Sequence, residues 1–169
     1  MAIVQINIMK TKLTFLLALT FLFLLGSSSV VFGDEIQDGF DAYKKKDYKE
    51  AVMFFHLSAE QGDALAQLLL GLMYDEGKGA AQDYVEAVKW YRRSAELGNA
   101  SAQNNLGFMY AQGQGVLKDY VIAHMWFNLS FSNGSKNGLE GREMIEEKMS
   151  PPQIDKAQEM ARNWKPTTK

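Results

Sequence analysis

The sequence predicts an all-α chain, an α-solenoid of helical hairpins with about three repeat units and C-terminal cap helices. Three observations predict it. The chain matches itself when slid by 36 residues: Leu70-Gly71, Met73-Tyr74, Asp83-Tyr84, Ala87 and Trp90 fall on Leu106-Gly107, Met109-Tyr110, Asp119-Tyr120, Ala123 and Trp126. Within each period apolar residues recur at three- and four-residue spacing, the stripe of an amphipathic helix. Glycines stand where each stripe stops, at Gly77 and Gly79, Gly98, Gly113 and Gly115, and Gly134. Glycine accepts the left-handed backbone that ends a helix.

Residues 1–33 come first and differ from the rest. They hold no acidic side chain. Lys10 and Lys12 precede an apolar run, Leu13 to Leu25, broken only by Thr14 and Thr20. Gly26 and Ser27 to Ser29 then end it, and Val31-Phe32-Gly33 offers short residues for cleavage before Asp34. That is the pattern of a secretory signal peptide, with Met9 a second candidate start. The alternative is an uncleaved anchor, because residues 13–32 reach roughly across a bilayer, which takes about 20 apolar residues. The remaining chain, 34–169, carries 16 basic and 20 acidic residues. That balance argues against nucleic acid as a partner, since phosphate binding needs a basic face. Without cysteine, an exported chain must be stabilised by packing alone.

The first unit, 34–63, is short. Asp47-Tyr48, Ala51, Phe54-Phe55, Ser58 and Ala59 align with Asp83-Tyr84, Ala87, Trp90-Tyr91, Ser94 and Ala95. Gly39 lies eight residues before Asp47, whereas Gly71 lies twelve before Asp83, so the Gly-x-Gly loop is missing. With Lys44-Lys45-Lys46 this reads as a polar N-terminal cap. The second unit, 64–99, predicts helices over Ala64–Glu76 and Gln82–Leu97, and the third, 100–135, repeats them. Gly71 and Gly107 sit inside helices, where glycine costs about 1 kcal/mol against alanine. Close approach of the next hairpin is the expected reason, with the aromatic pairs Trp90-Tyr91 and Trp126-Phe127 filling between hairpins. Residues 136–169 form the C-terminal cap: a helix over Leu139–Met149, then one over Ile154–Trp164. The second starts from Ser150-Pro151-Pro152-Gln153 and is stopped by Pro166.

Ala-x-Ala-Gln-x-x-Leu-Gly-x-Met-Tyr-x-x-Gly-x-Gly, followed by Asp-Tyr-x-x-Ala-x-x-Trp-Tyr/Phe-x-x-Ser, stands twice in the chain, at 64–94 and 100–130. This resembles the Sel-one-like repeat family, relatives of the tetratricopeptide repeat, and the tail around Met149-Ser150-Pro151 looks like the end of exported bacterial members. The resemblance implies an adaptor for protein complexes, in some bacterial members exported to the envelope or to host cells. Phe131 departs from the small residue at Ala59 and Ala95, so different packing against the cap helices is expected.

Little in the residues supports catalysis. Offset by 36, His56 meets Arg92 and His124 meets Val88, so the two histidines are not equivalent, and neither shows a carboxylate–nucleophile set nearby in sequence. No cysteine and no His-x-x-His spacing leave no zinc pattern and no expected cofactor. The Gly-x-Gly pairs follow helices and lack phosphate-loop spacing. Some cysteine-rich relatives have been linked to penicillin binding, but Ser-x-x-Lys is absent here. The three Asn-x-Ser triplets, at Asn99, Asn128 and Asn133, carry no weight in a bacterial chain.

What remains is a surface. In tandem hairpins the first helices line the concave side. Counting away from the packing stripe gives Leu65, Leu68, Leu72 and Asp75, then Ser101, Asn104, Phe108 and Ala111, as the free positions. Leu65, Leu68, Leu72 and Phe108 are apolar, so a groove for a partner peptide or helix is expected. The cap helices or a second copy would be the competing occupants. An exported, non-catalytic protein-binding module is the reading; an envelope hydrolase acting on cell wall or β-lactams, and a membrane-anchored self-associating scaffold, are the alternatives.

Overall fold

A computed structural model of the chain describes residues 34–167. The leader reading of residues 1–33 therefore lies outside the described residues. Eight helices and no strand are found among them: α1 Asp34–Lys44, α2 Tyr48–Glu60, α3 Ala64–Glu76, α4 Tyr84–Glu96, α5 Ala100–Gln112, α6 Tyr120–Ser132, α7 Lys136–Glu146 and α8 Pro151–Asn163. The three hairpins α1–α2, α3–α4 and α5–α6 stack in chain order, the expected solenoid. The first cap helix starts three residues earlier than the apolar pattern suggested, at Lys136, while the last starts at Pro151 behind its Ser150 cap, as expected. The polar first turn of α7, Lys136-Asn137-Gly138, hid its true beginning.

Each second helix begins at the Asp-Tyr dipeptide because the aspartate is its N-cap. Asp83 accepts from the N–H groups of Val85 and Glu86, Asp119 from those of Val121 and Ile122, and Asp47 from Glu50. Asp63 and Asn99 cap the first helices in the same way, at 2.7 and 3.0 Å. Each cap satisfies backbone donors that the helix start leaves open, worth about 1 kcal/mol. In the last helix Gln153 reaches back to accept from the backbone N–H of Ser150 at 2.8 Å, within the capping box that the Ser-Pro-Pro-Gln sequence forms.

The repeated register translates into three contacts. The first is inside a hairpin. A Cβ on Gly71 would meet the Tyr91 ring at 2.6 Å, and one on Gly107 the Phe127 ring at 2.7 Å. Gly39 faces Phe55 in the same way. The glycines thus admit the second aromatic of their own hairpin, which corrects the expectation that the next hairpin does so. The first aromatic fills between units: Trp90 joins Phe55, Ala59 and Leu70 in one buried cluster.

The second contact explains the Gly-x-Gly loop. Gly77 and Gly113 are left-handed ends of α3 and α5. Gly79 and Gly115 have another task. A Cβ on Gly79 would stand 2.1 Å from the Tyr48 carbonyl oxygen, and one on Gly115 would stand 2.2 Å from that of Tyr84. Each loop lies on the start of the preceding unit's second helix. The first unit has no described unit before it, and so its shorter turn, closed by Lys46 at φ 64, suffices.

The third contact is polar and buried. Gln67 Nε2 donates to the Ala59 carbonyl and Gln103 Nε2 to the Ala95 carbonyl, both at 3.0 Å. Each glutamine thereby adds a second donor to a carbonyl in the last turn of the preceding second helix, which also accepts from the Gly62 or Gly98 N–H at 3.0 Å. Ser94 and Ser130 tie each second helix to its own first helix through the Ala64 and Ala100 carbonyls, at 2.6 and 2.7 Å.

The C-terminal helices close one end in two ways. α7 lies on α6 through two glycines on one face. A Cβ on Gly138 would meet the Phe131 backbone nitrogen at 2.6 Å, and one on Gly141 the Phe127 ring at 2.5 Å. Phe131 itself turns outward, 42% exposed, with the Arg142 guanidinium 5.6 Å from its ring centroid. That is the different packing its bulk predicted. α8 crosses the outer side of α6. Ala161 is buried with Met125, Trp126 and Leu129, and Trp164 meets Trp126 edge-on at 5.9 Å. The tail then runs back to the second unit, where the Thr167 N–H donates to the Glu96 carbonyl at 2.8 Å.

Candidate protein-binding face

The eight positions named from sequence fall on four register positions of α3 and α5, and their exposure differs from the count made on one helix alone. Leu65 is 42% exposed and Ser101 is exposed. Leu68 and Asn104 are buried, at 8% and 7%, and Ala111 is buried as well. Leu72, Asp75 and Phe108 are half-buried. The correction has a simple cause. A first helix inside a solenoid packs against its own second helix and against the neighbouring unit, so its buried sector is wider than one hairpin requires. Leu68, for example, joins Ala102 and Leu106 of α5 in one cluster.

Among the remaining positions the two units behave differently. Phe108 is used inside the fold, where its ring meets Phe127 edge-on at 4.9 Å. Ala111 packs beside it with Phe127 and with Ile145 of α7. In the second unit Asp75 Oδ2 accepts a hydrogen bond from the Tyr91 hydroxyl at 3.0 Å. Burial, followed by the Asp75 charge, raises the Tyr91 pKa well above the usual phenol range. That hydroxyl is a fixed donor.

Leu72 leads to open space. It lines a cavity of about 190 Å³ between the first and second units. Phe40 and Tyr43 of α1 and Phe55 of α2 form one wall; Leu69, Met73 and Glu76 of α3 join Leu72 in the other. The lining is mostly apolar, with charge only at the rim. There Glu76 pairs with Lys78 at 2.7 Å, and Lys78 also lies 3.4 Å from the Tyr43 hydroxyl. The hydrogen bonds that Lys78 donates to Glu76 and Tyr43 raise its pKa to about 12, so the ammonium stays charged. Phe40 and Tyr43 were not singled out from sequence, although the signal was present. Gly39 corresponds to Gly71, which puts Phe40 at the Leu72 position and Tyr43 at the Asp75 position of the shorter unit.

The histidines do different things. His56 is exposed and meets Trp90 edge-on at 5.4 Å. His124 is fully buried, and its Nε2 lies 2.7 Å from Glu146 Oε1 of α7. The carboxylate beside it comes from 22 residues further along the chain, and a single carboxylate is not the carboxylate–nucleophile set that catalysis would need. The pair joins α6 to α7. Among the described residues, no group of three or more histidine, aspartate or glutamate side chains is placed to hold a metal ion. Among the same residues, no helix is long and apolar enough to cross a membrane.

The Sel1 repeat model matches residues 22–63, 64–99 and 100–135. The chain belongs to the Sel1 repeat family. Sel1 repeats generally serve as non-catalytic modules for protein–protein interaction. Among solved structures, this Sel1 repeat protein is similar to a protective antigen of uropathogenic Escherichia coli with an SLR fold. The two are 32% identical with a TM-score of 0.73, over 77% of this chain and 29% of the antigen. It is also similar to a Sel1 repeat protein from Oxalobacter formigenes, at 28% identity and TM-score 0.64, over 73% of this chain and 54% of that one. Cysteine rich protein B of Helicobacter pylori shares the fold at 19% identity and TM-score 0.53, with 68% and 97% of the two chains covered. The chain thus spans less than two thirds of the first two relatives. No curated protein matches it.

Proposed function

We propose that this Sel1 repeat protein is an exported, non-catalytic adaptor of the bacterial periplasm or exterior. In this reading it binds a segment of a partner protein along the face of its first helices. The cavity between the first and second units carries the proposal. It is apolar within, charged at its rim, and sized for one large apolar side chain, the form of an anchor pocket for a peptide or helix. Leu65, exposed one turn before the cavity, extends the apolar track. Export rests on the leader pattern of residues 1–33.

The partner face is tested by placing a photo-crosslinking residue at Leu65, Leu72 or Ser101, and at Val85 on the outer side as control. Crosslinks to one common protein from the first three and none from Val85 are expected. Equal yields from Val85 would sink the reading. Tyr43→Ala, at the rim, is expected to weaken that complex by about 2 kcal/mol, the size of an interface anchor. Export is checked by the mass of the N-terminus of the native protein. A start at Asp34 is expected; an intact 13–32 segment recovered with membranes would favour the anchored scaffold.

A further inference from the structure

The outer face of the second helices carries a second message, independent of the first-helix face. Two register positions can be compared across the three second helices. In α6 they hold Met125 and Leu129, 7% and 8% exposed, covered by α8. In α4 the same positions hold Lys89 and Arg93, with side chains 62% and 48% exposed. In α2 they hold Met53 and Leu57, 52% and 48% exposed. The rule in this chain is that a covered face is apolar and an open face is charged. α2 breaks it, with the covered residue types and no cover among the described residues.

We propose that the cover is the α2 of a second copy of this chain, packed antiparallel across a two-fold axis. Charge placement supports that occupant. Lys49, Met53, Leu57 and Glu60 fall on one stripe of α2, at spacings of four, four and three. A two-fold axis near Phe55 brings Met53 against Leu57 of the other copy. It also brings Lys49 of each copy to Glu60 of the other, so the stripe is complementary to itself, as a closed dimer requires. Glu60 has room for this role, being half exposed beside its only described cation, Arg93 of α4 at 3.0 Å. A pair of single helical faces is smaller than a standard interface, so the dimer is weak and reversible.

The test is sedimentation velocity over a wide concentration series, on the chain purified as the cell delivers it. A monomer–dimer equilibrium is expected. Met53→Lys with Leu57→Arg gives α2 the residues that α4 already carries in the open. It should leave the helical circular dichroism and melting temperature nearly unchanged and remove the dimer. Lys49→Glu should weaken dimerisation at least threefold, and adding Glu60→Lys should restore it, because the pair is then reversed across the axis. A wild-type chain that stays monomeric at all concentrations overturns the proposal. So does a dimer indifferent to Met53→Lys/Leu57→Arg, or one that the charge reversal does not rescue.

Discussion

The second and third hairpins have the same motif in the same register, yet one is open and the other closed. Their shared residues make the hairpin itself: the Asp N-cap, the helix glycine under an aromatic ring, the serine tie and the glutamine that joins units. Their differing residues report what lies outside. Lys89 and Arg93 meet water; Met125 and Leu129 meet α8. Tyr91 and Asp75 form a hydrogen-bonded pair, while Phe127 and Ala111 form an apolar pair beneath α7. A repeat sequence therefore holds two kinds of information. Invariant positions specify the unit, and variable positions specify its neighbours.

Exchanging the variable outer pairs breaks this comparison most directly. Met125→Lys with Leu129→Arg places two charges under α8, where burying them unpaired is prohibitive. α8 is expected to undock, at a cost of about 4 kcal/mol or more from lost apolar packing. Loss of amide protection across α8 by hydrogen exchange, together with a change in Trp126 and Trp164 fluorescence, would register it. The reverse exchange, Lys89→Met with Arg93→Leu, removes surface ion pairs worth little and should change stability by less than about 1 kcal/mol. Equal costs at the two sites would mean that α8 does not protect α6.

A smaller effect separates the two inter-unit glutamines. Gln103 is satisfied at both ends, because Asn133 Nδ2 donates to its Oε1 at 2.9 Å. Gln67 Oε1 has no protein partner, since Leu97 stands where Asn133 would be. Both glutamines lose one bond to a helix-end carbonyl when changed to leucine, but only Gln103→Leu removes a second bond. Gln103→Leu is expected to cost about 2 kcal/mol and Gln67→Leu about 1 kcal/mol or less. Thermal or urea unfolding of both variants would settle the order, and a larger loss at Gln67 would contradict it.

The hairpins were legible in the sequence because their causes are local. Caps, turn glycines and helical spacing act within a few residues, and a 36-residue register displays each of them twice. The neighbours were less legible. Gly71 and Gly107 announced a close approach, but a glycine does not say which ring approaches it. Ser150-Pro151-Pro152-Gln153 marked the start of α8 without naming the Met125–Leu129 surface that the helix covers. At the candidate site, counting free positions on one helix gave Leu68, Asn104 and Ala111, which the adjoining units bury. The cavity beside Leu72 escaped notice because half of its wall comes from α1, in a unit whose register is shifted by the missing loop. Contacts between units depend on two segments at once, and periodicity reads only one.

The smallest effect lies in the Tyr91–Asp75 pair, and pH brings it out. The folded chain keeps the Tyr91 proton because burial and the Asp75 carboxylate both oppose the phenolate. In the unfolded chain the phenol titrates near its ordinary value, about 10. Below that pH both states hold the proton and the group adds no pH dependence. Above it the folded state binds more protons than the unfolded state, so stability falls as pH rises, by up to about 1.4 kcal/mol per pH unit. Tyr91→Phe removes this term and makes the second unit resemble the third. At neutral pH it should cost about 1 kcal/mol or less, because half-buried Asp75 turns to water for the lost bond. Melting temperatures at about pH 8 and about pH 11 give the comparison, since the other tyrosines are common to both proteins and cancel. A flatter alkaline decline is expected for Tyr91→Phe. An identical decline would mean that Tyr91 reaches water and that the second hairpin is more open than its hydrogen bond implies.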